Sequence, residues 1–189
     1  VSRYKGESQM NEDVLDIIRK RRTIRKFNAH EVSDEQIETL LELAMDAPNR
    51  LNRQPWHFVV VRDKALQRQF ADVLRIHPYL ETASAVIAVC AIPSRSPTWA
   101  MDISAAIENV LIGATAMGIG SAWVGSPDTV MWSMLEETLH DSLAIPCDVR
   151  IASLVALGYP DEERPPHGKK DRYDPLKVHY GRWENRKTQ

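Results

Sequence analysis

The stretch from residue 100 to 117 constrains this chain most. Ile103, Ile107, Val110, Leu111 and Ala114 recur at helical spacing and form an apolar stripe wider than a surface helix needs, with few charges between them. Such a helix has to be covered on most of its sides, within a core or against a second subunit. Gly118 supplies the residue that ends it, at the position after the cap where a left-handed conformation is wanted.

Other signals place the elements around it. Glu12 to Lys20 reads as a short amphipathic helix. Ser33-Asp34-Glu35-Gln36 is a capping box, followed by Ile37, Leu40, Leu41 and Ala44 on one face and stopped by Pro48, so a helix is expected to about Ala47. Asp63 caps a further helix with Leu66, Phe70, Val73 and Leu74 inward, and Asp128 caps one running through His140. Short runs rich in β-branched or small apolar residues at 57–61, 85–92, 121–126 and 149–159 read as strands. Helices and strands alternate irregularly, which leaves an α/β and a three-layer α+β architecture both open. Residues 1–10 are expected to be a lead-in, and 11–189 one domain whose Pro-, Lys- and Arg-rich end, from residue 160, forms an extended arm. With Tyr180 and Trp183 near its end, that arm is not expected to lie free in water.

A net charge of −2 and a pI near 6.3 argue against nucleic acid as the main partner. Cys90 and Cys147 stand far apart with no CxxC spacing, which reads as reduced thiols, not a disulfide or zinc site. No apolar run approaches the ~20 residues needed to span a bilayer. The N-terminus lacks a signal-peptide core. The expected compartment is the cytoplasm, with no membrane partner. Dinucleotide-fingerprint, P-loop, nucleophile-elbow and zincin motifs are all missing, and the six histidines are scattered without metal-ligand spacing. No metal site and no catalytic acid, base or nucleophile is therefore assigned.

Three segments have the character of a binding site. Arg21-Arg22-Thr23-Ile24-Arg25 sets three guanidinium groups and a hydroxyl in five residues, a composition that grips phosphate oxygens. The same charges also complement the dipole of the preceding helix, and composition alone does not choose between these two uses. Pro48-Asn49-Arg50-Leu51-Asn52-Arg53-Gln54-Pro55-Trp56 joins a helix to a strand with amide side chains, which both donate and accept, as the edge of a pyrimidine-like ring requires. Gly118-Ile119-Gly120-Ser121-Ala122-Trp123-Val124-Gly125-Ser126 lets backbone approach a flat ligand. A fourth cluster, Lys169-Lys170-Asp171-Arg172, reads alone as a solvated tail.

In this order and spacing, and with Gly158-Tyr159-Pro160 and Val178-His179-Tyr180…Arg182-Trp183 closing the chain, these segments resemble the nitroreductase family of FMN-dependent oxidoreductases. The resemblance runs from about Val14 to Trp183. It implies a homodimer of three-layer α+β subunits with a mainly antiparallel central sheet and two FMN sites, each built by both chains. Arg21, Arg22, Thr23 and Arg25 would hold the phosphate and ribityl end, joined by Lys170 and Arg172. Pro48, Asn49, Arg50, Asn52 and Gln54 would face the ring edge or come from the partner subunit, and Trp123, Val124 and Gly125 would lie along the isoalloxazine. Thr23 and Asn49 stand where the family commonly has Ser, and Leu51 where a smaller residue is usual.

The resemblance further implies that NADH or NADPH delivers hydride to flavin N5 and is then replaced by a nitroaromatic, quinone or similar small acceptor, in ping-pong fashion. Two alternatives stand beside it. One is a specialised relative, a reductive dehalogenase or flavin-dependent oxidase, with residues 93–100 as a lid and Trp99 stacking on an aromatic substrate or packing at an interface. The other is a non-catalytic flavin-binding dimer.

Overall fold

Strand alternation decides which core each side chain enters. In β2 (Ala85–Ala91), Ile87, Val89 and Ala91 face one buried cluster, while Val86, Ala88 and Cys90 face another. α2 (Asp34–Met45) and α5 (Trp99–Ala116) close the first cluster. α3 (Lys64–Leu74), α4 (Tyr79–Thr82) and α6 (Val130–Leu143) close the second. Between them lies a four-stranded antiparallel sheet in the order β1 (Trp56–Val61), β2, β4 (Arg150–Gly158), β3 (Gly120–Val124). This is the three-layer α+β architecture. The computed structural model describes residues 12–125, 129–168 and 172–184.

The chain divides into two compact units, one of Arg21–Arg164 and the other joining residues up to Lys20 with those from Pro165 onward. The layers belong to the first. In the second, α1 (Glu12–Lys20) receives a hydrogen bond from the His167 amide at the Arg19 carbonyl, and His179 stacks on Trp183 at 4.3 Å between ring centroids. Tyr173, Leu176, Tyr180 and Trp183 are exposed in the single chain.

Local signals account for most element ends. The capping box at Ser33 and Gln36 forms in both directions, and the Gln36 amide also donates to Tyr159 Oη at 3.0 Å. Asp63 accepts from the Ala65 and Leu66 amides. Gly118 takes a φ of +72° after α5, as its place requires. In α3 the inward positions are Gln67, Phe70, Ala71 and Leu74, with Leu66 and Val73 half-buried. Gln67 is tolerated there because its Nε2 donates to the Val61 carbonyl at 2.9 Å and its Oε1 accepts from Lys64 Nζ at 2.9 Å. The expected cap Asp128 lies outside the described residues, as does Ser126 at the expected end of β3. Thr129 caps α6 by accepting from the Trp132 amide, and the helix runs past His140 to Leu143.

Two irregularities shape the β3 end of the sheet. The first is a bulge in β4, where Val89 pairs with Ser153 but Cys90 with Ile151, leaving Ala152 extra. α6 takes up the backbone there: Ile151 donates to Glu136 Oε1 at 2.9 Å and accepts from Trp132 Nε1 at 2.8 Å. The second lies at 21–28. Thr23 bridges Ser121 in parallel, with the Ile24 amide donating to the Ser121 carbonyl at 2.9 Å, so this segment lengthens the sheet beyond β3. The Arg25 and Lys26 amides then both donate to Glu162 Oε1, at 2.6 and 3.1 Å, and Phe27 bridges Pro160. That capture, led by the Arg25 amide, holds the Glu162 carboxyl below the usual carboxylate range. It also turns the Arg25 side chain, whose guanidinium carbon sits 5.8 Å from the Tyr79 ring centroid. Tyr79 Oη in turn shares a 2.9 Å hydrogen bond with His77 Nδ1.

This packing generates two expectations. A Cβ on Gly120 would come within 2.9 Å of the Ile24 side chain and 3.1 Å of the Gly158 carbonyl, so Gly120→Ala should cost about 1–3 kcal/mol by overpacking. Combining it with Ile24→Gly, which removes both contacting carbons, should cost less than the sum, and additive losses in a denaturant double-mutant cycle would refute the contact. Desolvation, and next the Arg25 charge, hold the His77 pKa below its ordinary 6.5. His77 therefore stays neutral on folding and contributes stability above the unfolded pKa that is lost as pH falls through the folded one. Arg25→Gln should raise the His77 pKa without restoring it fully, as read by NMR titration of its ring proton. An unmoved titration would disprove the coupling.

Candidate functional site

On the α5 side of β3 lies an open cavity of about 380 Å³, lined by Arg21, Thr23, Glu108, Leu111, Ser121, Trp123 and Gly125. Each lining residue arrives for a local reason. Ala122 and Val124 face the second core, so Ser121 and Trp123 must point to the opposite side. The bridge to Ser121 sets Thr23 alongside, and Arg21, two residues earlier in the same extended run, falls on the same side. Glu108 and Leu111 descend from α5, one helical turn apart.

The polar chemistry is concentrated. Arg21 Nε stands 3.6 Å from Glu108 Oε1. Ser121 is 2% exposed, and its Oγ has no hydrogen-bond partner among the described residues. Trp123 is 41% exposed, yet its orientation is fixed, because its Nε1 donates to Ser153 Oγ at 2.8 Å. Ser153 is two residues from Val155, the partner of Trp123, and so lies on the same face, where its Oγ also donates to the Ala152 carbonyl at 2.7 Å. Gly125 is required beside it, since a Cβ there would lie 2.6 Å from Ser153 Oγ and 3.3 Å from the indole nitrogen. A half-open indole face, a guanidinium, two hydroxyls and glycine backbone thus border one space of ligand size.

Of the residues singled out in the sequence, Arg21, Thr23, Trp123 and Gly125 meet here. Val124 does not, because alternation sends it into the second core. Arg25 is drawn away by the turn at Glu162 and lies over Tyr79. Arg22 is half-buried and is not among the lining residues. Arg172 belongs to the other unit, where its Nη2 bonds His167 Nε2 at 2.9 Å, and Lys170 lies outside the described residues. Sequence reasoning missed Ser121 and Glu108. The available signals were a hydroxyl on a strand otherwise apolar and an acid in the middle of a largely buried helix.

The loop of Pro48, Asn49, Arg50, Asn52 and Gln54 forms a separate structure. Leu51, Asn52 and Gln54 have φ of 52°, 53° and 44°, a run of left-handed non-glycine residues of the kind that persists where function holds it. Its internal ties are Asn49 Oδ1 accepting from the Gln54 amide at 2.9 Å and the Gln54 side-chain amide donating to Asn52 Oδ1 at 3.3 Å. Its anchor is Asp102 in the first turn of α5, which accepts from the Arg50 amide at 3.2 Å. The same buried carboxylate accepts from Ser96 Oγ at 2.6 Å and from Thr98 Oγ1, fastening residues 93–98 as well. Trp99 is partly buried against the first core, with the Arg150 guanidinium carbon 5.9 Å from its ring centroid.

Neither cysteine joins the cavity. Burial, and next the Glu136 charge, push the Cys90 thiol up to about 12, so it carries no thiolate at neutral pH. Among the described residues, no three His, Cys, Asp or Glu side chains gather as metal ligands, and no helix is long and apolar enough to cross a membrane.

The chain is similar to known proteins over most of its length. The Nitroreductase family model matches residues 18–93 and 76–159. A protein of Archaeoglobus fulgidus with the provisional name NADH dehydrogenase/NAD(P)H nitroreductase is 39% identical over 178 residues, covering 91% of this chain and 99% of its own. An iodotyrosine deiodinase of Thermotoga neapolitana is 24% identical, over 84% of this chain and 94% of its own. Among solved structures, an FMN-dependent nitroreductase of Clostridium difficile superposes with a TM-score of 0.83 at 26% identity, over 89% of this chain and 99% of that one. With a matching three-layer fold and a matching sequence across most of its length, the chain belongs to the nitroreductase family and is an oxidoreductase.

Proposed function

We propose that the cavity beside β3 takes the tail of FMN and that the enzyme passes electrons from NADH or NADPH to a small aromatic or quinone-like acceptor. The observation carrying this is the unpartnered Ser121 hydroxyl, buried on the wall of a cavity that also presents Arg21 and Thr23. A buried hydroxyl without a partner costs about 1–3 kcal/mol, and a ligand oxygen relieves that cost. The donor set fits a phosphate ester: one guanidinium able to give two parallel hydrogen bonds, and two hydroxyls. Trp123, locked by Ser153, and Gly125, which has no side chain, offer a flat apolar boundary for a ring system.

When bound, FMN supplies the two-electron exchange between donor and acceptor. The chain's own part is orientation: Arg21 and Thr23 fix the anionic end, and the Trp123 indole limits where a planar group can lie. No general acid, base or nucleophile is needed from the protein, and the Cys90 thiol is unsuited to act as one. A single open cleft serves donor and acceptor in turn, which gives ping-pong kinetics.

The reading includes a homodimer. Leu51 and Met101, 76% and 74% exposed, stand by the strained loop and at the start of α5, where a second copy would cover them. That loop's amides, Asn49, Asn52 and Gln54, then belong to the neighbouring copy's site.

Arg21→Ala should weaken FMN binding about 10- to 100-fold, from the loss of charge-assisted hydrogen bonds, while leaving riboflavin affinity nearly unchanged. Flavin fluorescence titration reads both. Equal losses for the two flavins would remove Arg21 from the phosphate. Stopped-flow mixing of the FMN-loaded enzyme with NADH or NADPH should bleach the flavin with at least one donor, and bleaching by neither would end the reductase reading.

A further inference from the structure

The cavity contains a group that opposes its proposed ligand. Glu108 enters from α5 and faces Arg21, the only cation among the described lining residues, at 3.6 Å from Nε to Oε1. Both side chains are partly shielded, at 24% exposure for Arg21 and 46% for Glu108, so their charges are incompletely screened by water. A carboxylate in that place has two effects. Without a ligand it neutralises a half-buried guanidinium and keeps it directed inward. With a phosphate ester on the same guanidinium, it is a like charge held close to the ligand's own.

We propose that Glu108 sets the affinity of this site by opposing the phosphate charge, so that the enzyme holds FMN as an exchangeable ligand and discriminates less strongly between FMN and riboflavin than its arginine would dictate. The proposal rests on the FMN reading of the cavity and adds a residue that the reading does not need. Arg21 has five donors and can serve Glu108 and a phosphate together, so the carboxylate need not leave. The repulsion persists in the complex and emerges as a weaker hold and a faster release. Position supports this over a purely structural role: Glu108 is the acidic residue of α5 that reaches the cavity, whereas Asp102 in the same helix is buried in hydroxyl and amide contacts.

Glu108→Gln keeps the shape and an acceptor for Arg21 but removes the charge. Dissociation constants for FMN and for riboflavin, which has the same ring and ribityl chain without the phosphate, are measured on the full chain at low and high salt. The expected result is FMN binding about tenfold tighter in the variant, with a slower off-rate, riboflavin within about twofold of wild type, and a gap that narrows as salt rises. Unchanged or weaker FMN binding overturns the proposal. Equal weakening of both flavins also overturns it, by making Glu108 an acceptor for the ribityl hydroxyls. Glu108→Ala, checked for folding by circular dichroism, repeats the test should the glutamine variant fail to fold. A wild-type protein that binds neither flavin refutes the site reading itself and the proposal with it, an outcome distinct from binding that the substitution does not alter.

Discussion

The hydrogen bond from the Ile24 amide to the Ser121 carbonyl is the contact on which the site depends. It joins the basic segment to the outer edge of β3, and the side chains on either side of it, Arg21, Thr23, Ser121 and Trp123, then share one face of the lengthened sheet. The approach is close enough that residue 120 has no room for a Cβ. One glycine on one strand thereby makes it possible for residues far apart in the chain to border a single cavity. The arrangement is cheap in backbone terms, because the bridge also occupies an edge that would otherwise be open to another chain.

The opposite wall lies beside an irregularity of the sheet. Ser153 keeps the alternation of Val155 and Leu157, so its hydroxyl shares a face with the Trp123 indole, and the extra residue, Ala152, follows directly on its N-terminal side. The backbone groups disturbed by the bulge are satisfied by Glu136 and Trp132 of α6, on the far side of the sheet.

What could be read from the sequence was what nearby residues decide. The cap at Asp63, the capping box at Ser33, the stop at Gly118 and the buried face of α5 each depend on residues within a turn or two. Arg25 shows the limit. Its neighbours place it with Arg21 and Thr23, but its direction is set by Glu162, 137 residues further on, which takes its amide and the next one. The same applies to Gln67, whose burial is permitted by a carbonyl on β1, and to the bulge, which pairing imposes on β4. Ser121 and Glu108 looked unremarkable because a hydroxyl on a strand and an acid on a helix are ordinary until the opposing surface is known.

The strained loop at 49–54 is held well away from the cavity of its own chain. Its anchor Asp102 precedes Glu108 and Leu111 by six and nine residues on α5, a separation of about 9 and 13 Å along the helix axis. The loop's anchor and the two residues that α5 gives the cavity are therefore on different stretches of one helix, and the loop is not part of the cavity wall. Three successive costs are borne to keep that loop in shape: left-handed φ at Leu51, Asn52 and Gln54, a buried carboxylate at Asp102, and a large exposed leucine at its tip. In the proposed homodimer a second copy covers the exposed Leu51, and the loop amides serve the neighbouring chain. The same covering fits the exposure of Met101 at the start of α5, whereas the broad apolar stripe of that helix is buried within its own chain against α2 and the sheet.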